Sequence, residues 1–266
     1  MKHDKNGGFI HTLKEQYRTK RSTFVIFASV RAIVIISGIR QAFIGNYENT
    51  FLCVLTLGLL FVPSLISHTF KVELPTLLEN IVLIFIFAAQ VLGELNDYYV
   101  KYPLWDSMLH TVTGFLAAAV GLSLIDILNR SDEIELKLSP LFTALVAFCF
   151  SMTIAVLWEF MEFSCDVLLR TDMQKDTVLD CISSVMLNPD AVNTAVKLDG
   201  ITDTLVNGKP LGVKGYLDIG LYDTMKDMFV NFIGAVSFSV FGLFYTKRHG
   251  KAKASRLVDG LKLKRK

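Results

Sequence analysis

The feature that most limits what this chain can fold into is a succession of apolar blocks, each long enough for a helix to cross a bilayer and separated by polar stretches. Roughly 20 helical residues cross the hydrocarbon, and the blocks fall at about 23 to 44, 50 to 67, 76 to 95, 104 to 128, 140 to 168 and 221 to 246. With 52% hydrophobic and only 20% charged residues among 266, a soluble domain would carry more apolar surface than it could hide. Backbone groups in hydrocarbon must bond to one another, and blocks this long without a ten-residue alternation favour helices over a barrel. The expectation is an all-α polytopic membrane protein, a bundle of about six transmembrane helices with a long external loop between helices 5 and 6. The first block starts after some 22 residues, contains Arg31 and lacks a small-x-small exit, so it reads as a true span and not as a cleaved signal.

Charge placement orients the spans. The N-terminal tail (1–22) carries Lys2, Lys5, Lys14, Arg18, Lys20 and Arg21, and the C-terminal tail (247–266) is also strongly basic. With Lys71, Arg130 and Lys137 in the second and fourth connections, one side holds 18 of the 27 basic residues. The positive-inside tendency puts both tails in the cytoplasm, which requires an even number of spans within the membrane domain at 23–246. The tails suit contact with anionic membrane lipids, and nothing beyond them supports nucleic acid binding. Pro63 is placed to kink or end the second span, while Pro75, Pro103 and Pro140 stand at or just before helix starts.

Cys53, Cys149, Cys165 and Cys181 show no CxxC or Cys/His spacing, which argues against a zinc finger or a thioredoxin-like motif. Cys165 and Cys181 fall near the outer face, where a disulfide is conceivable. Residues 169–220 are rich in Asp, Asn and Gly and read as an external cap. Asn207-Gly208 between two short apolar runs predicts a small hairpin, with Pro210 beside the turn weighing against it.

The polar residues within the spans are concentrated at four outer helix ends. Helix 3 ends with Gln90, Glu94 and Asp97, spaced to share a face; helix 4 begins with Asp106 and His110, an i, i+4 pair. On helix 5, Glu159, Glu162 and Asp166 fall within an arc of about 60°, and helix 6 begins with Asp223, Asp227 and Asn231 at i, i+4 and i+8. An acid costs roughly 2.5 to 3.5 kcal/mol at a helix centre and less near the interface. Adjacent carboxylates in low dielectric cannot all ionise unaided, so some are protonated or cations neutralise them. Carboxylates with one imidazole suit a divalent ion such as Mg, Mn, Fe or Zn. The metal ligands expected are Asp106, His110, Glu159, Glu162, Asp223 and Asp227, with Glu162 or Asp166 as catalytic base and Arg40 and Glu94 contacting substrate.

Each residue also has a plainer reading. Glu94 and Asp97 can be interfacial, Asp106 can serve as a first-turn acid favoured by the helix dipole, His110 can be a hydrogen-bonded helix contact, and Asp166 can be a solvated helix end. Glu159 and Glu162, about 8 to 12 Å below the surface at 1.5 Å per residue, have no cheap structural role. Arg31 falls near mid-membrane, where it needs an acid or a lipid phosphate. Arg40 either reaches a phosphate or carboxylate or snorkels to the interface. Trp105 and Trp158 suit a pocket rim or an interface and carry no chemistry.

Three motifs, Tyr102-Pro-Leu-Trp-Asp106-x-x-Leu-His110-x-x-x-Gly114, Trp158-Glu-Phe-x-Glu162-x-x-x-Asp166 and Tyr222-Asp-Thr-x-x-Asp227-Met-x-x-Asn231-x-x-Gly234, occur in that order. Together they resemble the signature of the YjdF-type bacterial membrane proteins. The resemblance covers helices 3 to 6 best and implies a six-helix fold in a bacterial plasma membrane, with no activity attached. The segment before the Tyr-Asp-Thr motif is longer here than is usual in that family.

Two function classes fit the carboxylates best. The first is a metal-dependent intramembrane enzyme, hydrolase or transferase, acting on a lipid or lipid-linked substrate in the outer leaflet. The second is a proton or divalent-cation transporter using the same acids as a pathway, against which the inner halves of helices 3 to 6 offer few ionisable groups, Glu79 and Asp126 being the obvious ones. A non-catalytic accessory membrane protein is the third alternative.

Overall fold

The computed structural model describes residues 21–69, 72–129, 138–248, 260–261 and 263–265. Among them, six helical spans are long and apolar enough to cross a membrane: Arg21–Ile44, Tyr47–Thr69, Thr76–Leu95, Trp105–Ile125, Pro140–Leu169 and Leu221–Tyr245, called first to sixth below. The expected six are recovered, with shifts only at their ends. Large apolar side chains stay exposed along them, Phe43, Leu65, Phe160 and Leu168 included, as a lipid-covered surface requires. The basic residues that oriented the chain lie largely outside the described residues: Lys2 to Lys20, Lys71, Arg130, Lys137 and most of 247–266.

Local chemistry accounts for the irregular places. The second span breaks after Leu59 and resumes as Val62–Thr69, with Pro63 in the first turn of the new piece, where its missing N–H costs nothing. Pro75 caps Thr76–Ile86 and Pro140 opens the fifth span. The third span ends as a π-helix, Phe87–Leu95, and Asp97 then takes a left-handed backbone at φ 59°. The expected Gln90, Glu94, Asp97 stripe therefore fails at its last member. Asp97 has left the helix and pairs with Lys101 at 3.0 Å on the surface.

Two compact units divide the chain, 1–152 with 231–266, and 153–230. In the first, one core joins the first three spans through Val30, Val34, Cys53, Leu60, Leu83 and Val91. Thr23 Oγ1 donates to Asn80 Oδ1 at 2.7 Å and ties the first span to the third. The Arg31 guanidinium lies over the rings of Phe27 and Phe61, 4.7 and 4.4 Å from their centroids. These aromatic faces receive the guanidinium in a contact worth about 2 kcal/mol when desolvated.

A second core in the same unit gathers Leu78, Ala118, Ala119, Leu122, Ala147 and Phe238. Ala118, Ala119 and Ala147 let helices approach closely, which matters because lipid gives apolar side chains no reason to leave it. A Cβ added to Gly114 would collide with the Asn231 carbonyl, and one on Gly234 with the Thr111 carbonyl. Ser151 Oγ, buried on the fifth span, donates to Gly114 O at 2.8 Å. Part of the basic C-terminal tail is ordered against this core: Leu261 and Leu263 are buried in it, and Lys264–Arg265 pairs antiparallel with Val72–Glu73.

In the second unit, the fifth span ends at Leu169 and Arg170 adopts φ 56°, a left-handed helix stop. The loop that follows carries three short antiparallel ladders: Thr177–Leu179 with Tyr216–Asp218, Ile182–Ser184 with Val196–Leu198, and Leu205–Val206 with Lys209–Pro210. The last is the expected hairpin. Asn207 and Gly208 both have positive φ, 53° and 76°, as a tight two-residue turn needs. All four cysteines are free thiols. Cys165 Sγ sits 3.7 Å from Met161 Sδ on its own helix, so the conceivable bridge to Cys181 does not form.

Candidate functional site

In the first unit, the fourth span opens at Trp105 and places Asp106 in its first turn, where the helix dipole favours an acid. His110 follows one turn later, its Nε2 3.5 Å from Asp106 Oδ1, with both side chains largely shielded. The pair has the i, i+4 geometry that lets one ion or one proton be shared between them. Tyr98 packs edge-on to Tyr102 and Trp105, with centroids 4.7 and 5.0 Å apart, and forms an aromatic wall just before this turn. Arg40 and Glu94 are both exposed. No ion pair of Arg40 forms among the described residues.

In the second unit, the fifth span carries Glu159 and Glu162, 4% and 8% exposed, about 15 and 10 Å from its end at Leu169. Asp166, in the last turn, faces helix carbonyl ends, an unfavourable place for an anion. Its oxygens are engaged instead by the chain that follows: Oδ1 accepts from Thr171 Oγ1 and the Met173 N–H, at 2.8 and 2.7 Å, and Oδ2 accepts from the Gln174 N–H at 2.8 Å.

The sixth span receives the same segment. Gln174 Nε2 donates to Thr224 Oγ1, and the Lys175 N–H donates to Asp223 Oδ2 at 2.8 Å. Asp218 Oδ2 accepts from the Tyr222 N–H at 3.0 Å, which helps to start the helix. Asp223 and Asp227, both buried, are joined by Lys226, whose Nζ is 2.9 Å from Asp223 Oδ1 and 3.8 Å from Asp227 Oδ1. Three of the expected site residues thus belong to one web, with Asp166 and Asp223 clamping residues 173–175 and Lys226 linking Asp223 to Asp227. Nearby in the loop, partial desolvation and the carboxylates of Asp172, Asp218 and Asp166 hold Asp176 above its ordinary value.

Sequence reasoning missed two of these features. Lys226 is legible, since it stands one turn after Asp223, and it supplies part of the neutralising positive charge. Asn231 was placed on the acidic stripe but given no role. It is 1% exposed, one turn after Asp227 on the unbroken Leu221–Arg248 helix, and its backbone is what Gly114 touches. That contact joins residues far apart in sequence, and no local pattern announces it.

No curated protein and no solved structure matches the chain significantly. A family model described as a predicted membrane protein, DUF2238, matches residues 22–248, in keeping with the six membrane-length helices, and the chain belongs to that family.

Proposed function

We propose that this chain is a divalent-metal-dependent enzyme of the membrane that hydrolyses, or transfers a group from, a lipid or lipid-linked substrate. Its metal ligands are Asp106, His110, Glu159, Glu162, Asp223 and Asp227. The observation that carries this reading is the burial of Glu159, Glu162, Asp223 and Asp227 on membrane-length helices. Carboxylates in so poor a dielectric stay charged only beside cations, and an oxygen-rich set with one imidazole suits Mg, Mn, Fe or Zn. Lys226 offsets one charge of the Asp223 and Asp227 pair, and Glu159 and Glu162 add two more acids.

In this reading a bound ion would supply Lewis-acid polarisation of the bond to be cleaved, and Glu162 takes the proton of the attacking water as the new bond to oxygen forms. The leaving oxygen then recovers a proton from the same carboxyl. Asp166 is the weaker candidate for base, because both its oxygens already accept hydrogen bonds from residues 171–174. Exposed Arg40 and Glu94 suit contact with a headgroup. The positive-inside tendency supports cytoplasmic termini with the loop at 169–220 outside, and the resemblance to the YjdF-type proteins suits a bacterial plasma membrane.

The test is metal content of the full chain purified in detergent, beside Glu159→Gln and Glu162→Gln. About one or two divalent ions per chain, lost in both variants, is the expected result. A wild type that retains and rebinds none defeats the proposal. Ion flux in proteoliposomes with no turnover of added lipids would shift the reading to a proton or divalent-cation transporter.

A further inference from the structure

Within the first unit, the fourth and sixth spans run in the same direction. Thr111 and Gly114 meet Gly234 and Asn231, Phe115 stacks edge-on with Phe238 at 4.9 Å, and Leu122 lies against Gly242. The absence of a side chain at Gly114 and Gly234 lets the backbones touch, which seals Asn231 at the crossing. Helical side chains lean toward the N-terminus of their helix. The Asn231 amide therefore leans toward the level of His110, the residue before Thr111 and one turn before Gly114.

The two ends of that amide differ. Asn231 Nδ2 is 3.7 Å from Met152 Sδ on the fifth span, and because a thioether sulfur only accepts, this contact sets the amide's orientation. No hydrogen-bond donor among the described residues reaches Oδ1, although the whole side chain is 1% exposed. A buried amide oxygen with nothing to accept from destabilises the protein that carries it.

We propose that Asn231 Oδ1 is a further ligand of the metal site on the fourth span, a neutral oxygen bound to a divalent cation directly or through one of its waters, beside Asp106 and His110. The inference rests on the metal reading above. An amide carbonyl is a hard donor that adds no charge, so it holds an ion without deepening the repulsion among carboxylates.

Mn2+ and Zn2+ titrations of the detergent-purified full chain, by electron paramagnetic resonance for Mn2+ and calorimetry for both, provide the test. Asn231→Ala should weaken binding by about 10-fold or more, and Asn231→Asp should hold the ion at least as tightly as wild type. Melting without metal should not fall for Asn231→Ala, because an amide that serves only packing would lower it and leave affinity unchanged. If wild type binds and Asn231→Ala binds equally, this inference fails and the metal reading stands. If wild type binds neither ion, both fail. Should Asn231→Ala not fold, weaker binding by Asn231→Asp than by wild type overturns the ligand role.

Discussion

The crossing of the fourth and sixth spans and the root of the loop at Asp166 solve opposite problems. At the crossing, Gly114 and Gly234 remove side chains so that backbones touch, and stability comes from contact with no charge involved. At the loop root, Asp166 keeps its charge in the last turn of a helix and uses it to gather two backbone N–H groups and a hydroxyl. Association in lipid needs close approach because exclusion from water is not available there, whereas a polar segment at a helix end needs acceptors for its N–H groups. A carboxylate supplies them well, since hydrogen bonds to charged groups are each worth about 1.5 to 3 kcal/mol.

The comparison can be broken first at the crossing. Gly114→Val should cost about 3 kcal/mol or more, since its Cβ meets backbone that cannot yield as a flexible side chain would. Thermal unfolding in detergent measures it, and a melting temperature equal to wild type would show that the helices can separate without loss. A smaller effect is expected at the root. Asp166→Asn keeps the shape and loses the charge, and should weaken the clamp by roughly 1 to 2 kcal/mol. Exchange of the Met173 and Gln174 amides should then quicken about 10-fold while the fourth span is unaffected. If those amides exchange as slowly as before, the carboxylate is not what holds the segment.

The smallest effect concerns Asp176, which sharpens the electrostatic side of the contrast. Its carboxyl is held above the ordinary value of 3.8 by partial desolvation and by Asp172, Asp218 and Asp166. The folded state therefore binds its proton more readily than the unfolded state. The stability this group contributes is present at low pH and is lost as pH rises through the raised value. Asp176→Asn should slightly raise the stability of the loop at neutral pH, and the gain should vanish below about pH 3.8. Amide exchange in residues 177–179 and 216–218 at both pH values checks it, and an equal gain at both would show that charge is not the cause.

Much of the candidate site was legible for the same reason that the spans were. A helix has one period, so Asp106 with His110, Glu159 with Glu162 and Asp223 with Asp227 could be placed on common faces before any coordinates existed. What periodicity could not supply was the partner. Asp223 receives the Lys175 N–H from 48 residues away and Ser151 bonds to Gly114 from 37 away, and the acids differ in role because of such contacts. Asp166 and Asp223 bond to the loop, and Glu159 is buried deeper in its span.

By itself the amino-acid sequence determined the six membrane-length helices, the proline-marked starts of the third, fourth and fifth, and the Asn207-Gly208 hairpin. Each follows from local rules: the thickness of hydrocarbon, a ring without an N–H, a turn that needs positive φ. The tertiary structure alone decided that Arg31 rests on Phe27 and Phe61, that the third span loosens into a π-helix and that Asn231 is sealed against Gly114. These outcomes depend on which remote surfaces meet, and a one-dimensional pattern of apolar and polar residues carries no information about that meeting.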